Sequence, residues 1–579
     1  MARSADDPED ADADADASKA GGIAAAAGRR GFPARARRVA SPCPGGTHNG
    51  VMHGWLGFPR PVRYAILLLA GALPVLAFPA PNLEFVAWFG LVPGLLLMRA
   101  SASLRQAAVA GWWFGAGYLL AALYWLIPDL GPALLLVVGV LGALWAGVGA
   151  ACWALLRPPV TARRGLAALL VVPSCWLVGE WIRSWQGFGG PWAVFGASQW
   201  QHPAVLALAA VGGVWLISFA LVAANTAIVI LIVARRIPMR LLGAAGAAVV
   251  IAAGPVAFAL TPAAPVSRTV TIAVVQPGVV HNPRLRVDAS QRLSAGLRRD
   301  HADLIVWGES SVGFDLDKDV SLLRQLERLS AADGAQLLVN QDSIAPDGAK
   351  SKVAVLIGSN GIDGRYVKTR LVPFGEYIPF RQQLGWLATI SKAAPQNVIP
   401  GTGAHIMRVT LPDGRPLTIG VLICFESAFP DMARVDTDHG AQLIIYQTSD
   451  STWQAGWEEW VLAQHAALGA LRAAETGRPV VQAALTGDSA AFDPRGRLLA
   501  WAGPGERGVT LVRLQLPAAS ARTPYDRFGD YVPWTATGIA ALAGATALLG
   551  AGGRRRRPVR PHRPARILLE RNRRHVPSA

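Results

Sequence analysis

The stretch Arg415–Arg434, RPLTIGVLICFESAFPDMAR, decides the fold of the hydrophilic part of this chain. Leu417–Ile423 is an apolar run rich in β-branched residues, which predicts a buried strand, and Cys424 stands where that strand ends. In α/β sheets, ligands bind beyond the carboxyl ends of the strands. A single cysteine on an apolar strand is more often a small core residue, so this stretch alone leaves the role of Cys424 open.

Two further stretches place charged side chains at comparable positions. Asp303–Ser311, DLIVWGESS, is an apolar strand that delivers Glu309 at its end. Arg365–Phe380, RYVKTRLVPFGEYIPF, carries Lys368 near its start and Glu376 eight positions later. A carboxylate, an ammonium group and a thiol at strand ends can supply the base, the cation and the nucleophile of covalent catalysis.

The types and the order of these residues resemble a known superfamily. The order Glu309, Lys368, Cys424 resembles the nitrilase superfamily of carbon–nitrogen bond enzymes. Within it, the segment VPFGEYIP and the run Cys424-Phe425-Glu426 resemble the membrane-bound apolipoprotein N-acyltransferases. The resemblance implies that Glu309 is the general base, that Lys368 stabilises the oxyanion and that Cys424 is the nucleophile.

Three neighbours are expected to support these groups. The resemblance implies that Glu376 steadies Lys368 and orients the base, and that Glu426 supports the turn of Cys424. A backbone N–H after the cysteine, that of Phe425, is expected to share the oxyanion with the lysine. Phe425 stands where some members of the family carry tyrosine. Surface carboxylates or ordinary ion pairs are the alternative interpretation of Glu376 and Glu426.

A histidine offers a second possible base. His465 lies in the predicted helix Glu458–Glu475. We interpret it as a core or solvated histidine, because the residues above already supply a base and a cation. A Cys424/His465 dyad is the alternative if Glu309 proves remote.

Composition indicates that much of the remaining chain lies in a membrane. The chain has 579 residues, of which 52% are hydrophobic, which is too long and too apolar for one soluble domain. Its net charge is +17, but acids and bases nearly cancel over Arg268–Arg513, so nucleic-acid binding is not expected. Of the four cysteines only Cys424 lies in the hydrophilic part, and without a Cys/His cluster neither a metal nor an organic cofactor is expected.

Apolar segments recur at the length that crosses about 30 Å of hydrocarbon, which takes about 20 helical residues. They predict a polytopic α-helical bundle of about eight spans, seven before the hydrophilic part and one after it: Tyr64–Phe78, Leu83–Met98, Ala107–Ile127, Ala133–Leu156, Leu166–Trp181, Ala204–Ala234, Leu241–Leu260 and Val532–Ala551. Few ionisable residues apart from Glu180 lie in these spans, which argues against an ion-coupled transporter.

Basic residues predict the orientation of the chain in the membrane. Arginines precede the first predicted span and follow the second, fourth and sixth, whereas the loops 79–82 and 128–132 carry no base. Because basic loops stay in the cytoplasm, both termini are predicted to be cytoplasmic and the hydrophilic domain extracytoplasmic.

The chain is therefore expected to divide into five parts. They are a disordered N-terminal extension over 1–63, the seven-span region over 64–260, the catalytic domain over 268–516, the eighth helix over 532–551 and a basic cytoplasmic tail over 552–579. Met52 is an alternative start of the chain.

Short β-branched runs alternate with amphipathic stretches through the hydrophilic domain. The predicted strands are Val270–Gln276, Leu304–Trp307, Gln336–Asn340, Ala354–Gly358, Leu417–Ile423, Leu443–Gln447 and Val480–Ala484, and the predicted helices are Ser290–Arg299, Val320–Ala332 and Glu458–Glu475. Such alternation indicates a layered α/β domain. The resemblance implies a nitrilase-like α-β-β-α sandwich.

One predicted outer loop differs from the others. Arg183–His202, RSWQGFGGPWAVFGASQWQH, is long, rich in glycine and carries three tryptophans. An aromatic belt at the membrane interface is one interpretation. The resemblance favours the other, a loop near the catalytic domain with a part in lipid access.

The resemblance implies an enzyme of the bacterial cytoplasmic membrane. Cys424 is expected to take a fatty acyl chain from a phospholipid as a thioester. The α-amino group of the diacylglyceryl-cysteine of an apolipoprotein then accepts it as an amide, the last step of lipoprotein maturation. The expected partners are thus a phospholipid donor, an apolipoprotein acceptor and membrane lipids, with the oligomeric state open. The alternatives are a membrane-tethered amidase that uses water as acceptor and a non-catalytic membrane scaffold.

Overall fold

The computed structural model describes residues 55, 57–344, 348–386, 388, 397–451 and 460–555, with side chains described as far as residue 549. The predicted extension over 1–63, the alternative start at Met52 and the basic tail over 552–579 lie wholly or largely outside these ranges. They stay predictions, as do the first two residues of the predicted helix Glu458–Glu475.

Helices occupy both ends of the described chain and alternate with strands between them. In chain order the α-helices are α1 (Arg60–Ala72), α2 (Val92–Arg99), α3 (Leu104–Ala122), α4 (Ile127–Leu130), α5 (Ala133–Gly142), α6 (Ala146–Leu156), α7 (Ala162–Arg183), α8 (Pro203–Val233), α9 (Ile237–Leu260), α10 (Pro283–Ser294), α11 (Val320–Asp333), α12 (Arg381–Leu384), α13 (Pro430–Asp438), α14 (Trp460–Thr476), α15 (Pro524–Phe528) and α16 (Tyr531–Arg555).

The strands are β1 (Val266–Gln276), β2 (Leu304–Trp307), β3 (Gln336–Ile344), β4 (Lys350–Gly358), β5 (Gly361–Val367), β6 (Ile406–Thr410), β7 (Pro416–Ile423), β8 (Leu443–Thr448), β9 (Val480–Ala484), β10 (Ser489–Phe492), β11 (Leu498–Ala502) and β12 (Gly508–Pro517). All seven predicted strands are present. The strands that the sequence did not predict are β5, β6, β10, β11 and β12. All of these except β10 lie at the edge of a sheet. Edge strands are half-exposed, so their apolar pattern is weak.

Two six-stranded sheets repeat one arrangement. The first has the order β12-β1-β2-β3-β4-β5 and the second the order β11-β10-β9-β8-β7-β6. In each, three central strands are parallel, β1-β2-β3 and β7-β8-β9, and the flanking strands are antiparallel. Parallel strands need a crossover connection, which here brings helices onto the outer faces.

The alternation of side chains along β1 shows how the layers form. Ile272 and Val274 belong to the apolar core between the sheets, whereas Ala273 and Val275 belong to the core beneath α10 and α11. On the second sheet α13 packs against β7 and α14 against β9 and β10. The order of layers is therefore α-β-β-α, which confirms the predicted nitrilase-like sandwich.

Helix α14 also joins the sandwich to the apolar helices. One side packs on β9 and β10, and another packs on α8. Every residue from Gln464 to Thr476 is buried as a result. This explains why the sequence of α14 is apolar over most of its surface rather than along one stripe.

Long apolar helices make up the rest of the fold and confirm a multipass membrane protein in outline. Among the described residues six helices have the length and hydropathy to cross a membrane, or seven if the bent pair Leu104–Ala122 and Tyr124–Leu130 forms one span. Their outer faces expose large apolar side chains, as expected where lipid replaces water. Examples are Leu69, Leu136, Val249, Leu260 and Leu542.

The prediction of a continuous helix across Leu83–Met98 is wrong. The chain forms a 3-10 turn at Glu84–Trp88 and then the eight-residue helix α2. Gly90 and Pro93 interrupt the apolar run, and proline lacks the N–H that would continue a helix. Helix α2 is only about 12 Å long at 1.5 Å per residue, which is too short to span a bilayer alone.

The sixth predicted span, Ala204–Ala234, is present as α8 but is broken inside. Gly212 has φ −135° and Gly213 has φ +70°, so two helical segments meet there at non-helical residues. Directly after this break, the N–H of Val214 donates to Glu475 Oε1 of α14 at 2.8 Å. Beside this contact Arg472 pairs with Glu475 at 3.0 Å. A membrane helix and the sandwich are thus joined at this break.

Candidate active site

The three predicted catalytic side chains come from strand ends in both sheets. Glu309 lies two residues after β2, Lys368 directly follows β5, and Cys424 directly follows β7. The N–H of Glu309 donates to the carbonyl of Thr448, the last residue of β8, at 2.9 Å. This bond ties the first sheet to the second. Lys368 Nζ lies 3.5 Å from Glu309 Oε1, and the charges of both groups act on the Cys424 thiol, so the three side chains lie near one another.

Lys368 lies between two carboxylates. Its Nζ is 2.8 Å from Glu376 Oε1 and 3.5 Å from Glu309 Oε1, and its side chain is 1% exposed. Burial acts to lower the pKa of Lys368, but Glu309 and Glu376 outweigh burial, so the pKa is raised well above its ordinary value. The lysine is therefore a fixed cation.

Cys424 is the first residue of the turn that follows β7. Its backbone adopts φ +52°, a left-handed conformation that non-glycine residues rarely take. The side chain is buried, and burial and then the charge of Glu309 raise the pKa of the thiol well above its usual range, while Lys368 opposes them. The sulfur therefore rests as a thiol, and a base must take its proton before it can attack.

Glu426 ties the turn Cys424–Ala428, which carries the predicted nucleophile (the nucleophile turn), to residues 369–372 just after Lys368 (the lysine loop). Its Oε2 accepts the N–H of Ile423 at 2.7 Å, immediately before the cysteine. Its Oε1 accepts the N–H groups of Thr369 at 2.7 Å and Arg370 at 2.9 Å, immediately after the lysine. Tyr366 also donates to it at 2.8 Å. This buried carboxylate is therefore neither a surface group nor an ordinary ion pair.

Glu376 and Phe425 are the other two predicted supporting residues. The second oxygen of Glu376, Oε2, accepts the N–H of Val372 at 2.9 Å, which fixes the carboxylate that holds Lys368. The ring of Phe425 is buried and packs edge-on against Phe429, with 5.0 Å between centroids. In the described ranges no group of three or more His, Cys, Asp or Glu residues is arranged to hold a metal ion.

Comparison with known proteins identifies the family. Residues 70–227 match the apolipoprotein N-acyltransferase N-terminal domain, and residues 271–522 match the carbon-nitrogen hydrolase family. The chain is 30% identical over 528 residues to the apolipoprotein N-acyltransferase of Rhodopseudomonas palustris, covering 83% of this chain and 94% of that one. The chain belongs to the apolipoprotein N-acyltransferase family.

Two other members of the apolipoprotein N-acyltransferase family match over a similar extent. The protein from Allorhizobium ampelinum is 31% identical, covering 79% of this chain and 91% of its own. The protein from Chlorobaculum tepidum is 27% identical, covering 87% of this chain and 99% of its own. The likeness therefore includes both the apolar helices and the sandwich.

A second lysine, Lys352, lies beside the residue that follows the predicted base, and the sequence analysis did not identify it. Lys352 Nζ lies 2.6 Å from Asp342 Oδ1 and also contacts the hydroxyl of Ser310, the residue after Glu309. Ser310 in turn donates its N–H to Asn340 Oδ1 at 3.0 Å. Asp342 and Lys352 are directly opposite each other in the β3–β4 ladder. Only that register reveals the pair, so no local signal could have found it.

His465 is a core histidine rather than a solvated one. Its Nδ1 lies 3.0 Å from Asp450 Oδ1 and its Nε2 lies 3.2 Å from the carbonyl oxygen of Cys424. The ring therefore faces the backbone of the cysteine, and Glu309 is not remote. Both observations remove the reason for a Cys424/His465 dyad.

The loop Arg183–His202 lies against the site, as the family resemblance implied. Gln186 Nε2 donates to the carbonyl of Leu371 at 3.1 Å, in the lysine loop. The ring of Trp192 lies 5.4 Å from that of His465. Trp192 and Trp200 are buried and only Trp185 is exposed among the three tryptophans. An aromatic belt therefore does not describe this loop.

Proposed function

We propose that the protein transfers a fatty acyl chain from a membrane phospholipid to the α-amino group of the diacylglyceryl-cysteine of an apolipoprotein. The observation that carries this proposal is the buried cation Lys368, held between two carboxylates beside the thiol of Cys424. This set supplies a base, a cation and a nucleophile with which an acyl thioester can be formed and broken. The family relationship supplies the donor and the acceptor.

The first half-reaction loads the cysteine. Glu309 takes the proton of the Cys424 thiol, and the thiolate attacks the ester carbonyl of the phospholipid. The oxyanion that forms receives the charge of Lys368 and the N–H of Phe425. When the intermediate collapses, the C–O bond breaks, Glu309 returns its proton to the leaving alcohol, and a lysophospholipid departs. Cys424 now carries the acyl chain as a thioester.

The second half-reaction makes the amide. The free amine of the lipid-modified cysteine attacks the thioester carbonyl, and the same two donors hold the oxyanion. Glu309 takes a proton from the attacking nitrogen as the C–S bond breaks, and the released thiolate regains that proton. Throughout both steps Glu376 keeps Lys368 in place, because it accepts a hydrogen bond from Nζ at 2.8 Å. Ping-pong kinetics follow.

The orientation in the membrane is part of the proposal. The protein crosses the bacterial cytoplasmic membrane eight times, with 83–98 crossing as a broken segment and the bent pair α3–α4 as one span. Both termini are then cytoplasmic and the domain over 268–516 is extracytoplasmic. The exposed apolar side chains around the helices support their placement in lipid. The docking of α14 on α8 supports a position of the domain next to the membrane, where the lipid-anchored donor and acceptor lie.

The experiment that tests the function supplies both substrates. Purified full-length protein is incubated with phospholipid vesicles and a diacylglyceryl peptide with a free amino terminus, and the products are followed by mass spectrometry. We expect an N-acylated peptide and a lysophospholipid in equal amounts. Free fatty acid with an unmodified peptide would instead establish the amidase-like alternative, in which water is the acceptor. No product would favour the scaffold.

A further inference from the structure

His465 is a buried titratable side chain that contacts the nucleophile turn but takes no part in the steps above. Its Nδ1 faces Asp450 Oδ1 at 3.0 Å and its Nε2 faces the carbonyl oxygen of Cys424 at 3.2 Å. A carboxylate and a carbonyl oxygen accept hydrogen bonds and cannot donate them. Both ring nitrogens therefore carry a proton, and the ring is an imidazolium.

The surroundings of the ring maintain this charge. Burial acts to lower the pKa of His465, but the Asp450 carboxylate outweighs burial, with help from the Cys424 carbonyl and the charge of Glu309, so the pKa is raised above its ordinary value. The ring of Trp192, from the loop between two membrane helices, packs against the imidazole. Asp450 offsets the positive charge of the His465 ring. His465 therefore acts on the nucleophile turn through a directed hydrogen bond rather than through the electric field of an unpaired charge.

The bond acts on one particular peptide group. The carbonyl of Cys424 and the N–H of Phe425 belong to the same planar unit and point in opposite directions, so fixing one fixes the other. Cys424 has φ +52°, and such a conformation persists only where the surroundings hold it. Donation to the carbonyl also polarises the peptide and makes its N–H a stronger donor.

We propose that His465 is a positioning residue that holds the Cys424–Phe425 peptide so that its N–H faces the oxyanion in both half-reactions. The inference rests on the proposed roles of Cys424 as nucleophile and of the Phe425 N–H as oxyanion donor. Asp450 orients the ring from its other side. The pair thus completes the oxyanion hole from outside the Glu309, Lys368 and Cys424 set.

Two substitutions of similar size separate the hydrogen bond from packing. His465→Gln keeps an N–H that can reach the Cys424 carbonyl, whereas His465→Leu keeps the bulk and loses the donor. Two rates are measured on full-length protein: thioester formation from phospholipid, as a hydroxylamine-labile adduct, and alkylation of Cys424 by iodoacetamide, located by peptide mass. Alkylation needs the sulfur but forms no oxyanion. The exposed His439 provides the control, as His439→Gln and His439→Leu.

We expect the His465→Leu variant to lose thioester formation while alkylation of Cys424 is largely kept. The Leu variant should form thioester about 100-fold more slowly, the size of a lost oxyanion donor, while its alkylation stays within about threefold of wild type. The Gln variant should recover at least about tenfold of that loss, and both His439 variants should match wild type. Equal losses of the two rates, or equal behaviour of Gln and Leu, would overturn the inference. A wild-type protein that forms no adduct would instead overturn the nucleophile assignment itself.

Discussion

Glu426 accepts the backbone N–H of Thr369 at 2.7 Å, so one buried carboxylate bridges the loop after the lysine and the turn after the nucleophile strand. Three of the four donors around it are more than 50 residues away along the chain, and Ile423 is the fourth. The relative placement of Lys368 and Cys424 therefore depends on this side chain.

Replacing Glu426 tests that dependence. In Glu426→Gln an amide N–H₂ must face backbone N–H donors, which leaves buried groups unsatisfied at a cost of about 1–3 kcal/mol. We expect a lower melting temperature and thioester formation slowed by about 10- to 100-fold. Thermal unfolding in detergent and adduct formation measure the two effects. Glu327→Gln, on α11 away from the site, should change neither, and a wild-type rate in Glu426→Gln would contradict the bridging role.

Substitutions at Lys368 should affect stability and activity separately. Lys368→Met leaves the buried Glu309 and the partly buried Glu376 without their cation, which should destabilise the protein by about 3–5 kcal/mol and abolish transfer. In Lys368→Met with Glu376→Gln one unpaired charge is removed, so stability should partly return while transfer does not. Melting temperature and product formation test this double-mutant cycle. Recovery of activity in the double variant would show that the lysine is not needed for the oxyanion.

Glu475 predicts a pH-dependent stability. Burial, opposed by Arg472, raises the pKa of Glu475 from its ordinary value to about 7. The pKa of Glu475 is higher in the folded state than in the unfolded state, so the folded state holds the proton more tightly. The stabilisation of the folded state by this proton is lost as the pH rises from about 4.5 to about 7. The Glu475→Gln variant has no carboxyl group to ionise at this position. Its melting temperature relative to that of wild type should therefore rise as the pH increases through that range. A difference that stays constant with pH would contradict the assignment.

Gly190 and Gly189 form a matched pair in the loop that lies against the site. Both have positive φ, +71° and +95°, so alanine strains the backbone at either position. A Cβ on Gly190 would lie 2.7 Å from Phe429 Cζ and 3.0 Å from Phe425 Cζ, whereas a Cβ on Gly189 meets nothing within 4 Å.

We therefore expect Gly190→Ala to slow acyl transfer by about tenfold more than Gly189→Ala, because only the former displaces the rings behind the nucleophile turn. Transfer to the diacylglyceryl peptide measures the difference. Equal rates for the two variants would mean that the loop does not shape the site.

The sequence predicted the sandwich and its site better than the membrane part. Glu309 and Cys424 each follow an apolar run, and that local signal survives folding because strand ends of a layered sheet converge. Lys368 follows the edge strand β5, GIDGRYV, which has no apolar run, so only the family resemblance pointed to it. The contact of Lys352 with Ser310 and that of His465 with the Cys424 carbonyl depend on strand register and on the docking of α14, which no local pattern records. In Leu83–Met98 mean apolarity indicated a helix, but Gly90 and Pro93 interrupted it.

The most direct test of the central claim is the intact mass of the protein after exposure to phospholipid alone, without an acceptor. Wild type should gain one acyl chain that hydroxylamine removes and that maps to Cys424, Glu309→Gln should gain it far more slowly, and Cys424→Ala should gain none. An adduct that persists in Cys424→Ala, or one that maps to another residue, would contradict the account.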